Sequence, residues 1–207
     1  MRMMPAVDMA GATVVPKCLV SERSSELIEK RELLDSAGIV RALKRMAHEI
    51  VERNIGAGDI VLVGIRTAGV PLAERLAGFV RDTGELEAST GAIDITLYRD
   101  DVFEGLPKPE VGVTTLPEHT AAGKTVILVD DVLYTGRTIR AALDALMDYG
   151  RPRGVQLAVL VDRGHRELPI QPDYVGLKVE TTRQQSVKVL LGAGPGQSDR
   201  AVLREKQ

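Results

Sequence analysis

The segment that decides the fold runs Val126-Ile127-Leu128-Val129-Asp130-Asp131-Val132-Leu133-Tyr134-Thr135-Gly136-Arg137-Thr138. Its apolar start, rich in β-branched residues, predicts a strand buried on both faces of a parallel sheet. Two adjacent aspartates follow, and then a loop of small residues that opens a helical pattern. Because open α/β sheets bind ligands beyond the carboxyl ends of their strands, the aspartates and the loop mark a candidate binding site.

Strands and helices alternate on both sides of this segment, as the spacing of apolar residues shows. The predicted helices cover 36–54, 71–79 and 138–149, and the predicted strands cover 60–65, 92–98, 125–129 and 155–161. Such alternation is typical of a doubly wound α/β fold with a central, mainly parallel sheet and helices on both faces. Pro- and Gly-containing stretches without periodicity flank this pattern. We therefore predict a disordered extension over 1–30, one domain over 31–191 and a loose tail over 192–207.

The composition fits one globular domain. The 207 residues carry 27 Lys plus Arg against 29 Asp plus Glu, a net charge of −2, and 44% are hydrophobic. This balance argues against intrinsic disorder, and no apolar run is long enough for a membrane-spanning helix. A single cysteine, Cys18, and three scattered histidines argue against a disulfide framework or a zinc module, so we predict a cytoplasmic protein. The near-neutral total argues against a dedicated nucleic-acid-binding protein.

The residues after the central strand predict a ligand that carries both hydroxyls and a phosphate. Asp130 and Asp131 supply hydrogen-bond acceptors for hydroxyls. The N–H groups at the following helix N-terminus, with the hydroxyls of Thr135 and Thr138, would hold an anion. Ribose 5-phosphate has both features. The same residues also fit a capped strand-to-helix turn with solvent-facing acids.

Over its whole length, the segment 126–138 resembles the phosphoribosyl-pyrophosphate (PRPP) motif of type I phosphoribosyltransferases. The resemblance implies that family's fold, which adds a small hood of early and late segments to the sheet. It implies that Asp130 and Asp131 hold the ribose 2′- and 3′-hydroxyls and that the 5′-phosphate is bound by Thr135, Gly136, Arg137 and Thr138. It also implies Mg²⁺ as a cofactor held mainly through the substrate, with the two aspartates as candidate protein ligands.

The turn after the strand 60–65 resembles the pyrophosphate loop of the same family, which often contains a cis peptide. Its candidate pyrophosphate-binding residues are Arg66, Thr67, Ala68 and Gly69. Consecutive N–H groups and the Arg66 charge suit a pyrophosphate, and Gly69 permits close ligand approach. Ala68 stands where the regulator branch of the family commonly has Arg, so part of the grip depends on Arg66. An ordinary glycine turn is the alternative interpretation.

Arg99 begins a long loop that separates two predicted strands, and loops of this length are often functional. In type I enzymes a flexible loop in this place closes over the substrates and excludes water. The resemblance makes Arg99 a candidate catalytic residue that contacts pyrophosphate as charge develops on the leaving group. A surface Arg–Asp pair explains the local sequence equally well.

The run after the last predicted strand resembles a particular branch of the family, the bifunctional pyrimidine operon regulators. The resemblance rests on 94–101, 126–138 and 150–169 and extends over 36–190. It implies that the protein converts uracil and PRPP to UMP and pyrophosphate, with Val161, Asp162 and Arg163 as the uracil-binding candidates. It further implies an RNA-binding attenuator that senses UMP and forms dimers or higher oligomers. A UMP sensor with little activity, favoured by Ala68, and an enzyme for another base remain alternatives.

The first predicted helix carries a basic face opposite its apolar stripe, formed by Arg41, Lys44, Arg45 and His48 with Arg53 one turn later. Clustered basic residues of this kind fit an RNA backbone. A solvated amphipathic helix, partly balanced by Glu49 and Glu52, is the alternative. The resemblance favours leader RNA of pyrimidine genes as the partner and adds Lys178 and Arg183 to the candidate RNA-binding residues.

Overall fold

The structure, a computed structural model, describes residues 27–56, 58–100, 111–117, 123–192 and 198–206. Within them, five parallel strands form the central sheet in the order β3-β2-β4-β5-β6. These strands are β2 (Ile60–Ile65), β3 (Ala88–Ile93), β4 (Thr125–Leu133), β5 (Gly154–Asp162) and β6 (Tyr174–Lys178). The chain leaves β2 toward β3 on one side and returns to β4 on the other. This reversal opens a crevice at the carboxyl ends of β2 and β4, the place where such sheets bind ligands.

Helices cover both faces of the sheet, as the sequence predicts. The helices are α1 (Ser36–Asn54), α2 (Gly69–Asp82) and α3 (Arg137–Met147). The apolar faces of α1 and α2 pack on one side of the sheet, and α3 packs on the other. No helix within the described ranges is long and apolar enough to cross a membrane.

A second, three-stranded antiparallel sheet forms the hood, in the order β1-β8-β7. Its strands are β1 (Leu27–Leu34), β7 (Gln185–Leu190) and β8 (Arg200–Lys206). The prediction of a loose tail over 192–207 is wrong, because β8 lies between β1 and β7 and buries Ala201 and Val202. The predicted extension also ends too late, since β1 begins at Leu27; residues 1–26 lie outside the described residues.

Two strand boundaries also differ from the prediction. The strand predicted over 92–98 is β3, which ends at Ile93, and Thr96–Tyr98 forms a 3₁₀ turn. β4 continues through both aspartates to Leu133, because Asp130 pairs with Val159 of β5. The acids therefore lie within the sheet, and both β4 and β5 support them.

Candidate functional site

The two aspartates of β4 lie at the crevice and are poorly solvated. Asp130 is 7% exposed, and its Oδ1 accepts a hydrogen bond of 3.0 Å from the Asp131 N–H. The Asp131 Oδ1 accepts one of 2.9 Å from the Val132 N–H. Burial raises the pKa of Asp130 well above that of an ordinary aspartate, and the neighbouring Asp131 charge raises it further. Burial also raises the pKa of Asp131. Two buried carboxylates side by side need hydroxyl donors or a cation to hold their charge.

The loop between β4 and α3 is shaped for an anion. Gly136 has a left-handed backbone (φ 94°) at the N-cap of α3, and no side chain caps the helix there. The Thr135 carbonyl accepts hydrogen bonds from the N–H groups of Glu167 (2.9 Å) and Leu168 (3.2 Å). These contacts hold the loop in place, while the uncapped first turn of α3 presents its N–H groups to a ligand.

Arg137 lies in this loop, but its guanidinium binds two carboxylates of the protein. Nε donates to Glu167 Oε2 at 2.9 Å and Nη1 to Asp100 Oδ2 at 2.5 Å. The hydrogen bond from Arg137 is the largest cause that lowers the pKa of Asp100. Arg140 of α3 also donates to the Tyr98 carbonyl at 2.8 Å. Helix α3 therefore supports the segment that carries Arg99, and the side chain of Arg137 is engaged within the protein.

The turn after β2 packs directly against β4. A Cβ added to Gly69 would stand 2.3 Å from the Val129 carbonyl oxygen, so only glycine permits this approach. The Arg66–Thr67 peptide is cis, as the resemblance implies. Arg66 Nε donates to the Val113 carbonyl at 2.9 Å, and Ala68 is the N-cap of α2. The predicted pyrophosphate turn and the predicted phosphate loop therefore meet across the crevice.

The three candidate uracil-binding residues follow β5 into the same crevice, but their side chains contact the protein. Val161 is fully buried in the core. Asp162 pairs with Arg166 at 2.7 Å, and its Oδ1 also accepts from the Gly164 N–H. The Arg163 side chain is 6% exposed and donates to the segment after β6. Contacts of this segment with a base would therefore run mainly through backbone groups.

Several residues of the site escape sequence reasoning. Arg166 donates Nη1 to the Tyr134 carbonyl at 2.9 Å. Asp94 accepts from the N–H groups of Thr96 (3.0 Å) and Gly112 (3.1 Å), which holds the returning end of the long loop near Arg66. The available signal was proximity to the recognised motifs, but charged residues next to a motif do not reveal which backbone groups they bind.

The described residues contain no cluster of three or more side chains suited to hold a metal ion. Asp130 and Asp131 nevertheless offer carboxylate oxygens, the donors that Mg²⁺ prefers. Their burial and raised pKa values suit a partner that brings positive charge or hydroxyl groups. The residues present therefore fit a Mg²⁺ ion that takes its remaining ligands from substrate and water.

The basic residues of α1 are exposed, but most already have partners. Arg45 pairs with Glu49 (2.6 Å) and donates to the Val175 and Gly176 carbonyls of β6. Arg53 pairs with Asp173 at 2.7 Å, just before β6. Because Arg53 contacts the start of β6 and Arg45 its middle, α1 runs antiparallel to β6. The Arg41 end of the helix therefore lies toward the Lys178 end of the strand.

The other basic candidates differ in how they are held. Lys44 lies 5.5 Å from the centre of the Phe79 ring, and its carbonyl is 2.7 Å from His48 Nδ1. Arg41, Lys178 and Arg183 are exposed and form no ion pair within the described ranges. These three residues are the basic candidates whose charge is not offset by a neighbouring carboxylate.

Comparison with known proteins agrees with this geometry. The model of the phosphoribosyl transferase domain matches residues 29–190. The hypoxanthine phosphoribosyltransferase of Trypanosoma cruzi shares the fold, with a TM-score of 0.65 at 18% identity over 86% of this chain and 98% of that chain.

Relatives of much higher identity carry one name. A Bifunctional protein PyrR from Pelotomaculum thermopropionicum is 56% identical over 177 residues, which cover 86% of this chain and 97% of the relative. A Bifunctional protein PyrR from Deinococcus radiodurans is 56% identical over 162 residues, or 78% and 88% of the two chains. The chain therefore belongs to the phosphoribosyltransferase family and, within it, to the Bifunctional protein PyrR family.

Proposed function

We propose that this protein transfers the phosphoribosyl group of PRPP to uracil, giving UMP and pyrophosphate, and that it binds pyrimidine-gene leader RNA in response to UMP. The observation that carries the enzymatic half is the meeting of three features at the crevice. They are the buried aspartate pair, the uncapped N-terminus of α3 and the glycine turn packed against Val129. A ribose bearing a phosphate and a pyrophosphate matches all three.

In the proposed reaction, N1 of uracil forms a bond to C1′ of the ribose as the bond from C1′ to pyrophosphate breaks, and the N1 proton is released. Asp130 and Asp131 would orient the ribose through its hydroxyls, and the first turn of α3 would hold the 5′-phosphate. Arg66 and Arg99 would stabilise the charge that develops on the leaving pyrophosphate. Mg²⁺, when bound with PRPP, would supply further charge neutralisation. Positioning and electrostatics drive this reaction without a protein nucleophile.

The RNA-binding half rests on the basic surface along α1 and the end of β6. Arg41, Lys178 and Arg183 carry charge that no neighbouring carboxylate offsets, which suits contact with phosphates. UMP in the crevice would signal pyrimidine supply to this surface and support transcription attenuation. We place the protein in the cytoplasm, where PRPP and nascent transcripts are found together. We expect a homodimer or higher oligomer, which light scattering on the purified protein would measure.

The enzymatic claim is tested by mixing the pure protein with uracil, PRPP and Mg²⁺ and following UMP. We expect UMP to form with uracil and no nucleotide to form with hypoxanthine or orotate in its place. Absence of UMP at all PRPP concentrations would remove the enzymatic claim. In the same samples, binding of leader RNA with and without UMP tests the regulatory claim independently.

One observation favours the alternative of a UMP sensor with little activity. Ala68 brings no charge to the pyrophosphate turn, and Arg66 already donates its Nε to the Val113 carbonyl. The substitution Ala68→Arg distinguishes the two functions. If the turn limits catalysis, this variant should turn over faster than wild type and bind RNA equally well. Equal rates in both proteins would show that Ala68 does not limit the reaction.

A further inference from the structure

Tyr134, the residue before the phosphate loop, contacts two cationic or titratable side chains that follow β5. The Arg163 guanidinium lies 3.9 Å from the centre of the Tyr134 ring, within the range of a cation–π interaction. The His165 ring lies edge-on at 5.9 Å. Tyr134 is directly followed by Thr135, whose carbonyl is held by Glu167 and Leu168. The ring therefore links the position of the phosphate loop to Arg163 and His165.

Arg163 and His165 also hold the segment that connects β6 to β7. Arg163 Nη2 donates to the carbonyls of Thr182 (3.2 Å) and Gln185 (2.5 Å), and its Nε contacts Thr181 Oγ1 at 3.3 Å. Thr181 Oγ1 in turn donates to the Arg163 carbonyl at 3.2 Å. His165 Nε2 lies 2.6 Å from the Thr181 carbonyl. Each of the two side chains thus contacts both Tyr134 and the turn formed by residues 181–185.

The buried charge of Arg163 makes this arrangement sensitive to its neighbours. No carboxylate pairs with Arg163 in the part of the chain that the structure describes. Backbone carbonyls, one hydroxyl and the Tyr134 ring are the groups that replace its lost hydration. A buried guanidinium held in this way loses stabilisation when any of these groups moves. A displacement of Tyr134 would therefore be felt by the 181–185 turn.

The same turn carries Arg183, an exposed candidate for RNA contact, and Lys178 lies at the end of the preceding strand. Val179 N–H donates to the Asp162 carbonyl at 2.9 Å, which ties that strand end to the residue before Arg163. The nucleotide crevice and the basic surface are thus joined by a short chain of direct contacts: Tyr134, Arg163 and the 181–185 turn.

We infer that Arg163 is a positioning residue that couples the two sites: nucleotide bound at the phosphate loop sets Tyr134, and Arg163 sets the turn that presents Arg183 to RNA. This inference rests on the proposed function. Arg163 acts here through the turn and not by reading the base. Couplings between two binding sites in proteins typically change affinity by about 5- to 150-fold, and thermodynamics requires the change to be equal in both directions.

The test uses a matched pair of variants at Tyr134. Tyr134→Phe keeps the ring face, and Tyr134→Leu removes it. The probe is a transcript of the organism's own pyrimidine-gene leader, whose affinity is measured without UMP and with saturating UMP. We expect wild type and Tyr134→Phe to show the same ratio of the two affinities. In Tyr134→Leu the ratio should fall most of the way to unity, while the RNA affinity without UMP stays near that of wild type.

The reciprocal measurement checks the same quantity from the other side. UMP affinity with and without RNA should change by the same factor in wild type and by a much smaller factor in Tyr134→Leu. Thr181→Val removes the hydroxyl contacts at the far end of the chain of contacts and should reduce the ratio also. It provides the test if the leucine variant fails to fold, which circular dichroism would show.

Two results would overturn the inference, and they differ in what else they remove. If wild-type RNA affinity does not respond to UMP, both the proposed regulation and the coupling are wrong. If wild type responds and the folded Tyr134→Leu and Thr181→Val variants respond equally, the coupling through Arg163 alone is wrong, and the proposed function stands.

Discussion

The nucleotide crevice and the α1 surface both depend on charged side chains, but the protein treats those charges in opposite ways. At the crevice, Asp130 and Asp131 are buried next to each other with no cation paired to either within the described residues. On α1, the charges are exposed, and Arg45 and Arg53 are already offset by Glu49 and Asp173. The crevice stores unfavourable electrostatics that a ligand relieves, whereas the α1 surface gains little from any single charge.

This difference indicates how strongly each region should respond to mutation. Removing one buried carboxylate changes a group that the ligand needs, and no neighbouring group replaces it. Removing one exposed cation weakens a distributed attraction to which other cations still contribute. The expected effects therefore fall in size from the aspartates, through the glycine turn, to the basic surface.

Asp130→Asn should have the largest effect on activity. The amide still accepts the hydrogen bond from the Asp131 N–H, so the fold is kept, but it accepts ribose hydroxyls weakly and contributes no charge for Mg²⁺. We expect kcat/KM for PRPP to fall by about 100-fold or more, the scale seen when a transition-state contact is lost. Asp82→Asn, an exposed aspartate at the end of α2, is the control and should leave kcat/KM unchanged.

The same variant should make the ligand-free protein more stable at neutral pH. Because the pKa of Asp130 is raised in the folded state, the folded protein holds this proton more tightly than the unfolded chain does. Stability is therefore lost as pH rises from the ordinary aspartate value through the raised pKa. Thermal melts should show Asp130→Asn melting above wild type at neutral pH, with the gap closing as pH falls toward the ordinary aspartate value. A lower melting temperature at neutral pH would contradict burial as the cause of the shift.

Gly69→Ala should have the next largest effect, because its Cβ would overlap the Val129 carbonyl. We expect the turn to move from β4, raising KM for PRPP about tenfold or more and lowering the free energy of unfolding by about 1–3 kcal/mol. Gly78→Ala in the same helix is the matched control, since nothing lies within 4 Å of its added Cβ. The control should be neutral or stabilising by up to about 1 kcal/mol. Equal effects from both substitutions would rule out the contact with Val129 as the cause.

Arg41→Gln and Arg45→Gln should show the smallest effects on binding and separate two roles on one helix. Arg41 has no ion pair within the described ranges, so its loss should weaken RNA binding severalfold and lower the salt slope by about 1 without changing thermal stability. Arg45 holds two carbonyls of β6, so its loss should lower the free energy of unfolding by about 1 kcal/mol. Filter binding across salt concentrations and thermal melts give both values. An unchanged salt slope in Arg41→Gln would remove it from the RNA-binding surface.

Local pattern predicts much of this molecule, and particular residues show where it fails. The run 126–129 is apolar and β-branched because β4 is covered on both faces, so the strand and its place in the sheet could be predicted. Strand β8 could not, because its isolated sequence alternates weakly and follows a glycine-rich stretch. It is stable only between β1 and β7, which join it from opposite ends of the chain. The hood strand therefore depends on long-range pairing that a window of sequence does not contain.

The site divides in the same way. The sequence by itself determined the PRPP motif, the glycine turn and the basic helix face, since each lies within a few consecutive residues or one helical repeat. Only the tertiary structure decided that the guanidinium of Arg137 is engaged by Asp100 and Glu167, and that Arg163 holds the 181–185 turn. A charged side chain takes whichever partner the fold brings within hydrogen-bond distance, and those partners come from segments far apart in the chain. Residue type therefore sets the chemistry available, and tertiary packing sets where that chemistry is used.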